Sequence, residues 1–369
     1  MTDSDVRVSD VRTRVYRVPT DRPEADGTLS WDSTTLVVVE IHASSGEVGL
    51  GFSYCSAAAA RLIDDVLASL IVGSPIREHP ASWRRMVAAV RNVGRQGIAA
   101  TAISAVDIAL WDLLARVQNL PLFRLLGARR DRIPIYGSGG FTSYTDQELM
   151  DQLGGWIQQG IPRVKMKIGT DWGTRPESDI RRVQRAREAI GSDAALFVDA
   201  NGAYQPKRAI ALAHRFAEHG VTYFEEPVSS DQLDELRMIR QHIPQEVAAG
   251  EYGYDPWYFR VMLQSGAVDI LQADATRCLG ITGWLEAAAL AHAAAVPFSA
   301  HCGPSIHAHA ACAAPQIAHV EYFHDHVRIE HLLFDGVLEP VDGCLRPDSS
   351  RPGLGLELKA RDAETYAVL

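Results

Sequence analysis

The sequence predicts an α/β protein, a (β/α)8-type barrel preceded by a smaller α+β region. Three observations predict it. Eight short β-rich runs lie between residues 133 and 322, with helical stretches filling the gaps. Strand–helix alternation of this kind builds parallel βα units, and eight of them close a barrel. The first third reads differently, with strands in succession and then helices. Ionisable residues also stand at the ends of seven successive β runs, and barrels of this type place their sites at the C-terminal ends of the strands.

Taken in order, residues 11–18 alternate polar and apolar, 35–41 form a β-rich run, a turn follows at 44–47, and 48–52 resume the strand. These predict an antiparallel meander. Residues 19–31, rich in Pro, Asp, Gly and Glu, read as a mobile loop. Helical patterns follow at about 57–70, 81–93 and 99–117. The barrel runs are 133–136, 163–168, 195–198, 221–224, 247–249, 268–271, 296–299 and 318–322. Their span of about 190 residues is short for a full barrel, which predicts abbreviated or borrowed elements. The expected division is 1–130 as cap, 131–325 as barrel, and 326–369 as a tail returning to the cap.

Composition narrows the classes of function. Lys+Arg 36 against Asp+Glu 46 gives a net charge of −10, the wrong sign for general binding to nucleic acid or anionic membrane. Five scattered cysteines without a CxxC pair indicate neither a disulfide framework nor a zinc knuckle. The charged N-terminal stretch lacks an apolar signal core, and no unbroken run of 18 apolar residues occurs. The expectation is a soluble cytoplasmic protein, with no membrane and no nucleic-acid partner.

The strand ends then read in sequence. Run two ends in Lys165 and Lys167, whose i, i+2 spacing puts both on one face. Run three ends in Asp199, with Asn201 beyond; run four in Glu225; run five in Glu251 after Gly250. Run six ends near Asp274, run seven in His301, and run eight near Glu321. Three converging carboxylates repel one another unless a cation sits between them. Asp199, Glu225 and Glu251 are spaced 26 and 26 residues apart at consecutive strand ends. An oxygen-only ligand set with room for water and substrate suits Mg2+, one ion per site, rather than zinc. Asp274 beside His301 would fix the imidazole and raise its basicity. His307 and His309 read as structural histidines.

These residues resemble the enolase superfamily, mandelate racemase subgroup. The resemblance rests on Lys165-x-Lys167, Asp199-x-Asn201, Glu225-Glu226-Pro227, Gly250-Glu251, Asp274, His301 and Glu321 in that order, with the 105–114 helix and the 121–127 stretch. One departure is Arg277, where the subgroup often has lysine; the positive charge is kept. The resemblance implies a (β/α)7β barrel under an α+β cap completed by the C-terminal segment, and a homo-oligomer between dimer and octamer. It implies a small-molecule carboxylate substrate whose α-proton is removed by Lys167, with Lys165 adding positive charge and lowering the pKa of Lys167. A protonated Glu321 would donate to the substrate carboxylate, and the His301–Asp274 dyad would face the other side. The favoured reaction is dehydration of an aldonate or aldarate; racemisation or epimerisation stands second, and a non-catalytic relative third. Ser138 is expected to touch the substrate carboxylate, Asn201 to bind substrate, Arg22 to reach a distal carboxylate, and Trp31 to shape the pocket.

Overall fold

The computed structural model describes residues 6–368. The chain opens with three antiparallel strands, β1 (Val8–Ala25), β2 (Ser30–Ala43) and β3 (Val48–Tyr54), in sheet order β1-β2-β3. Alternating apolar residues of β2 give the sheet its buried face; Val37, Val39 and Ile41 join the core of the cap. Against it lies the helix Ile98–Val117. At Gly51 a Cβ would stand 2.2 Å from the Ala105 carbonyl oxygen, so glycine there lets strand and helix touch. This helix is long and apolar enough to cross a membrane, but 89% of its apolar window is buried inside the protein, where it serves as core.

The barrel follows: β4 (Ile133–Gly139), β5 (Arg163–Lys167), β6 (Ala195–Asp199), β7 (Val221–Glu225), β8 (Glu246–Ala249), β9 (Ile270–Ala273), β10 (Phe298–Ala300) and β11 (His319–Phe323). Each pairs in parallel with the next, and β11 pairs with β4, closing the ring. Each of the seven strand-to-strand connections carries a helix, from Asp146–Gln158 to Pro304–Ala313. Outward residues such as Val164, Met166, Leu196 and Val198 pack under those helices. Inward, the lower barrel is filled by Tyr136, Phe197, Tyr223, Ala248 and Ile270. The strands are therefore buried on both faces, as parallel sheets require.

After β11 the helix His324–Leu333 leads out to β12 (Phe334–Asp335), β13 (Cys344–Leu345) and β14 (Glu357–Leu358). β13 adds antiparallel to β4, and β12 pairs with β14. Gly353 bridges Pro121, and the Val368 N–H donates to the Val15 carbonyl at 2.9 Å, so the tail is hydrogen-bonded to the cap.

Residues 19–31 are not a mobile loop. β1 runs on to Ala25 and β2 starts at Ser30, so only a tight turn separates them. Asp26 Oδ1 accepts from the Thr28 and Leu29 N–H groups at 2.6 and 2.7 Å. The prolines are accommodated because β1 is an edge strand whose register slips between Pro19 and Glu24. The hairpin tip is tied to barrel loops: Thr142 N–H to Ala25 O (2.8 Å), Thr142 Oγ1 to Asp26 O (2.6 Å), and Trp172 N–H to Gly27 O (2.8 Å).

Candidate active site

Register places the polar residues at one mouth. Lys167 pairs across β5–β6 with Asp199, and Asp199 across β6–β7 with Glu225, so these three form one row round the ring. One row lower, Lys165 pairs with Phe197. Alternation turns Lys165 and Lys167 inward, while Met166 between them packs in the outer core. Glu251 follows Gly250, whose φ of +135° and close approach to the Gln272 carbonyl (2.0 Å for a Cβ) only glycine accommodates.

Asp199, Glu225 and Glu251 each bring a carboxylate oxygen to within 4.8 Å of the others. All three are buried, and Glu225 Oε1 and Glu251 Oε2 have no hydrogen-bond partner. A buried carboxylate oxygen without a partner is costly. A hard divalent cation fits this set, because it accepts oxygen ligands and cancels their repulsion.

The lysines sit beside these acids. Lys165 Nζ lies 2.7 Å from Glu225 Oε2, 2.8 Å from Glu321 Oε1 and 3.6 Å from Asp199 Oδ2. Lys167 Nζ donates to Asp199 Oδ2 at 2.5 Å. Burial opposes charge on Lys165, yet Glu225 and Glu321 outweigh it and hold its pKa well above the usual lysine value. Lys167 is likewise raised: burial and Lys165 pull it down, but Asp199 prevails. The expectation that Lys165 would leave Lys167 with a lowered pKa is therefore corrected; Lys165 does pull in that direction, but the nearer carboxylate decides. Glu321 is corrected too. Burial pushes its pKa up, but Lys165 and the other cations bring it well below the ordinary value, so it is an ionised acceptor. It accepts from Ser138 Oγ (2.6 Å) and from the Cys302 N–H (3.0 Å).

His301 Nδ1 lies 2.8 Å from Asp274 Oδ2, and its Nε2 lies 3.4 Å from Glu251 Oε2. Asp274 Oδ1 accepts from the Thr276 N–H at 2.7 Å. Burial works against the Asp274 charge, but His301 and Arg277 keep it ionised, its pKa lowered. Glu251 is brought down to about 2, since His301, Arg277 and Lys167 outweigh its burial. Arg277 donates to the Glu251 carbonyl at 3.1 Å. His307 braces two strand ends: its Nε2 accepts from the Ala275 N–H (2.9 Å) and its Nδ1 donates to Cys302 O (2.7 Å). His309 Nδ1 accepts from the Phe123 N–H at 3.2 Å, away from the mouth.

A cavity of about 320 Å³ opens on Lys167, Asn201, Glu251, Arg277, His301 and Glu321, with Trp31, Thr34 and Tyr54 of the cap as its other wall. Trp31 is fixed there by its Nε1 donating to Glu24 (2.8 Å) and by an edge contact with Phe141. Asn201 Oδ1 is without a partner. Two of the residues expected to touch substrate lie elsewhere. Arg22 pairs with Glu148 at 2.9 Å on the surface, drawn off by that acid. Ser138 is buried and spends its hydroxyl on Glu321, outside the cavity lining.

Three features were given no role by the sequence reading. Cys302, with its sulfur 3.3 Å from His301 Nε2, carried no signal beyond adjacency to that histidine. Tyr54 and His326 stack with ring centroids 3.4 Å apart, a contact between cap and barrel that spacing does not show. Glu226, buried at φ +39° with Oε1 unpartnered, faces a neighbouring cavity of about 480 Å³; its signal was the doubled acid at 225–226.

Comparison with known proteins agrees with this geometry. Residues 10–127 match the mandelate racemase / muconate lactonizing enzyme N-terminal domain, and residues 148–363 the enolase C-terminal domain-like family. The chain is 30% identical to the arabinonate dehydratase of Saccharolobus solfataricus, over 90% of each protein. It is 31% identical to the D-galactarolactone cycloisomerase of Agrobacterium fabrum, over 98% of each. Among solved structures, a mandelate racemase/muconate lactonizing enzyme-like protein from Rubrobacter xylanophilus superimposes with a TM-score of 0.95 at 52% identity, covering 98% of this chain and all of that one. A racemase from Streptomyces coelicolor A3(2), solved with bound magnesium, gives 0.92 at 29% identity, covering 98% and 100%. The closed parallel barrel, the antiparallel cap and the two family matches together make this chain a member of the mandelate racemase / muconate lactonizing enzyme family and an enzyme of the enolase superfamily.

Proposed function

We propose that this enzyme dehydrates an acid sugar, an aldonate or aldarate, to a 2-keto-3-deoxy acid, with Mg2+ held by Asp199, Glu225 and Glu251. The observation that carries the reading is His301, backed by Asp274 at 2.8 Å and opening on the same cavity as Lys167. β5 and β10, which deliver the two groups, stand three places apart round the ring, so base and acid reach a substrate from different sides. Mg2+, held by these three acids, would supply positive charge to the substrate carboxylate; Asp199 so engaged would stabilise the charged form of Lys167 less, favouring the free amine.

Lys167 then takes the proton α to the carboxylate. Lys165 stays charged between Glu225 and Glu321 and offsets negative charge building on the substrate. His301 passes a proton from Nε2 to the β-hydroxyl, which leaves as water, while Asp274 holds the ring from Nδ1. The resulting enol becomes the 2-keto acid. Trp31 and Asn201 bound the substrate's polyhydroxy chain. A second reading is isomerisation, in which His301 returns the proton to carbon instead; the S. coelicolor racemase and the A. fabrum cycloisomerase support it.

The test is incubation with a set of aldonates and aldarates in Mg2+, scored for 2-keto acid by semicarbazide absorbance and for deuterium uptake by NMR in D2O. Keto acid formation supports dehydration. Deuterium exchange without loss of water points to the isomerase, and neither signal across the set rejects both readings for those acids.

A further inference from the structure

We propose that the barrel mouth contains a second cation site, thiolate-bearing and distinct in ligand chemistry from the three-carboxylate set, in which His301, Cys302 and Glu321 bind zinc.

Three buried atoms form its frame. His301 Nε2 lies 3.3 Å from Cys302 Sγ, Cys302 Sγ lies 3.4 Å from Glu321 Oε2, and Glu321 Oε2 lies 3.8 Å from His301 Nε2. A triangle with these sides has a circumscribed radius of about 2.0 Å. Zinc bonds nitrogen and oxygen at about 2.0–2.2 Å and sulfur at about 2.3 Å. An ion within bonding reach of all three atoms thus sits less than about 1 Å above their plane, with no movement of the backbone.

With His301 neutral and its proton on Nδ1, hydrogen bonding does not account for the whole frame. A thiol has one proton, so in that state Cys302 cannot donate to His301 and Glu321 together. The histidine is oriented as zinc-bound histidines are: Nδ1 faces a carboxylate, so the neutral ring with its proton on Nδ1 presents the Nε2 lone pair to a ligand. A further group points at the same nitrogen. Glu251 Oε2, on a residue 3% exposed, has no hydrogen-bond partner and lies 3.4 Å from His301 Nε2. That oxygen is already assigned to the three-carboxylate set, so it adds negative charge beside this frame without being one of its ligands.

The two sites differ in kind. Asp199, Glu225 and Glu251 offer oxygen alone, which suits Mg2+. The second set adds a sulfur and an imidazole, the ligand types that favour zinc over magnesium. Binding releases the Cys302 proton to solvent. Only one consequence rests on the dehydration reading: zinc occupies the nitrogen assigned to proton delivery, so it inhibits an enzyme already saturated with Mg2+. The site itself does not depend on the reaction.

The test loads the full-length protein with saturating Mg2+ and titrates Co2+ as a spectroscopic stand-in for zinc. The expected result is a near-ultraviolet thiolate-to-cobalt charge-transfer band that zinc abolishes. Cys302→Ser and Cys302→Ala should remove the band and weaken zinc binding by at least the roughly 10–100-fold that loss of an outer-shell partner costs. A Cys55→Ser/Cys344→Ser variant, lacking the two partly exposed thiols, should keep it. X-ray absorption of the zinc-loaded wild-type protein should show a sulfur neighbour at about 2.3 Å. Zinc with oxygen and nitrogen neighbours only, or a band that survives loss of Cys302, overturns the proposal. Because these readouts involve no substrate, a failed dehydration assay leaves the outcome separable.

Discussion

Two sets of buried carboxylates occupy this molecule, one where the cap meets the barrel and one at the barrel mouth, and they are built in opposite ways. At the cap, Asp107 Oδ1 accepts from Thr282 Oγ1 (2.7 Å) and Oδ2 from the Thr282 N–H (2.9 Å). Asp112 accepts from the Leu354 N–H (2.6 Å), the Leu50 N–H (2.7 Å) and Arg116 Nε (2.6 Å). Every oxygen of this pair is used. At the mouth, Glu225, Glu226 and Glu251 each keep one buried oxygen free. Burying an unpaired acceptor costs about 1–3 kcal/mol, so a fold that satisfies one set and leaves the other open maintains the second for something it does not itself contain. At the cap Asp107 and Asp112 are saturated and hold the structure together; at the mouth Glu225 and Glu251 are left open to a ligand.

The largest test of that contrast is at the mouth. Lys167→Ala and His301→Asn should each lower turnover by about 10²–10⁴-fold, the range for a positioned acid or base, with circular dichroism unchanged. EDTA should abolish activity and Mg2+ restore it. Full activity in either variant would sink the role given to that residue. Next, Asp112→Ala should lower unfolding free energy by about 2–6 kcal/mol in denaturant titration, since the Leu50 and Leu354 N–H groups lose their buried acceptor while Arg116 keeps Glu357, with turnover per folded molecule retained. A loss of turnover without loss of stability would erase the distinction between the two sets.

A third test uses Glu24, which borders both regions. It is buried, with one oxygen accepting from Trp31 and the other unpartnered. Burial first, then Asp325, pushes its pKa up to about 8. The folded state therefore holds a proton that the unfolded state releases near pH 4.5. Stability should fall as pH rises from there through about 8, by up to about 1.4 kcal/mol per unit. Glu24→Gln should flatten that slope. The smallest effect is expected outside both sets: Arg22→Ala breaks an exposed pair and should change stability by less than about 1 kcal/mol, with KM unchanged. A large rise in KM would return Arg22 to the substrate.

Much of the site could be read before the fold was known because a parallel barrel turns chain order into position round a ring. Each acidic or basic residue at the end of a β-rich run, from Lys167 through Asp199, Glu225 and Glu251 to His301, arrives at the same mouth. What spacing does not carry is a side chain's choice of partner. Ser138 stands on the right strand but bonds Glu321, and Arg22 turns to Glu148. Charge state was equally hidden, since Lys167 and Glu321 take theirs from neighbours on other strands. Residues 19–31 misled for a related reason: their composition is that of a loop, and β1–β2 pairing, the Asp26 turn and tertiary hydrogen bonds from 142 and 172 hold them as strand and tight turn.

The tail that returns to the cap has a consequence for biosynthesis. Val15 is synthesised long before its partner Val368, and Asp112 likewise waits for Leu354. Until those residues are made, β1 has no tail along its edge and a buried aspartate lacks one of its donors. Nascent chains fold as their domains are completed. Here the cap is begun before the barrel and completed after it, and a chain cut short before Leu354 leaves the barrel under a cap that is not yet fastened.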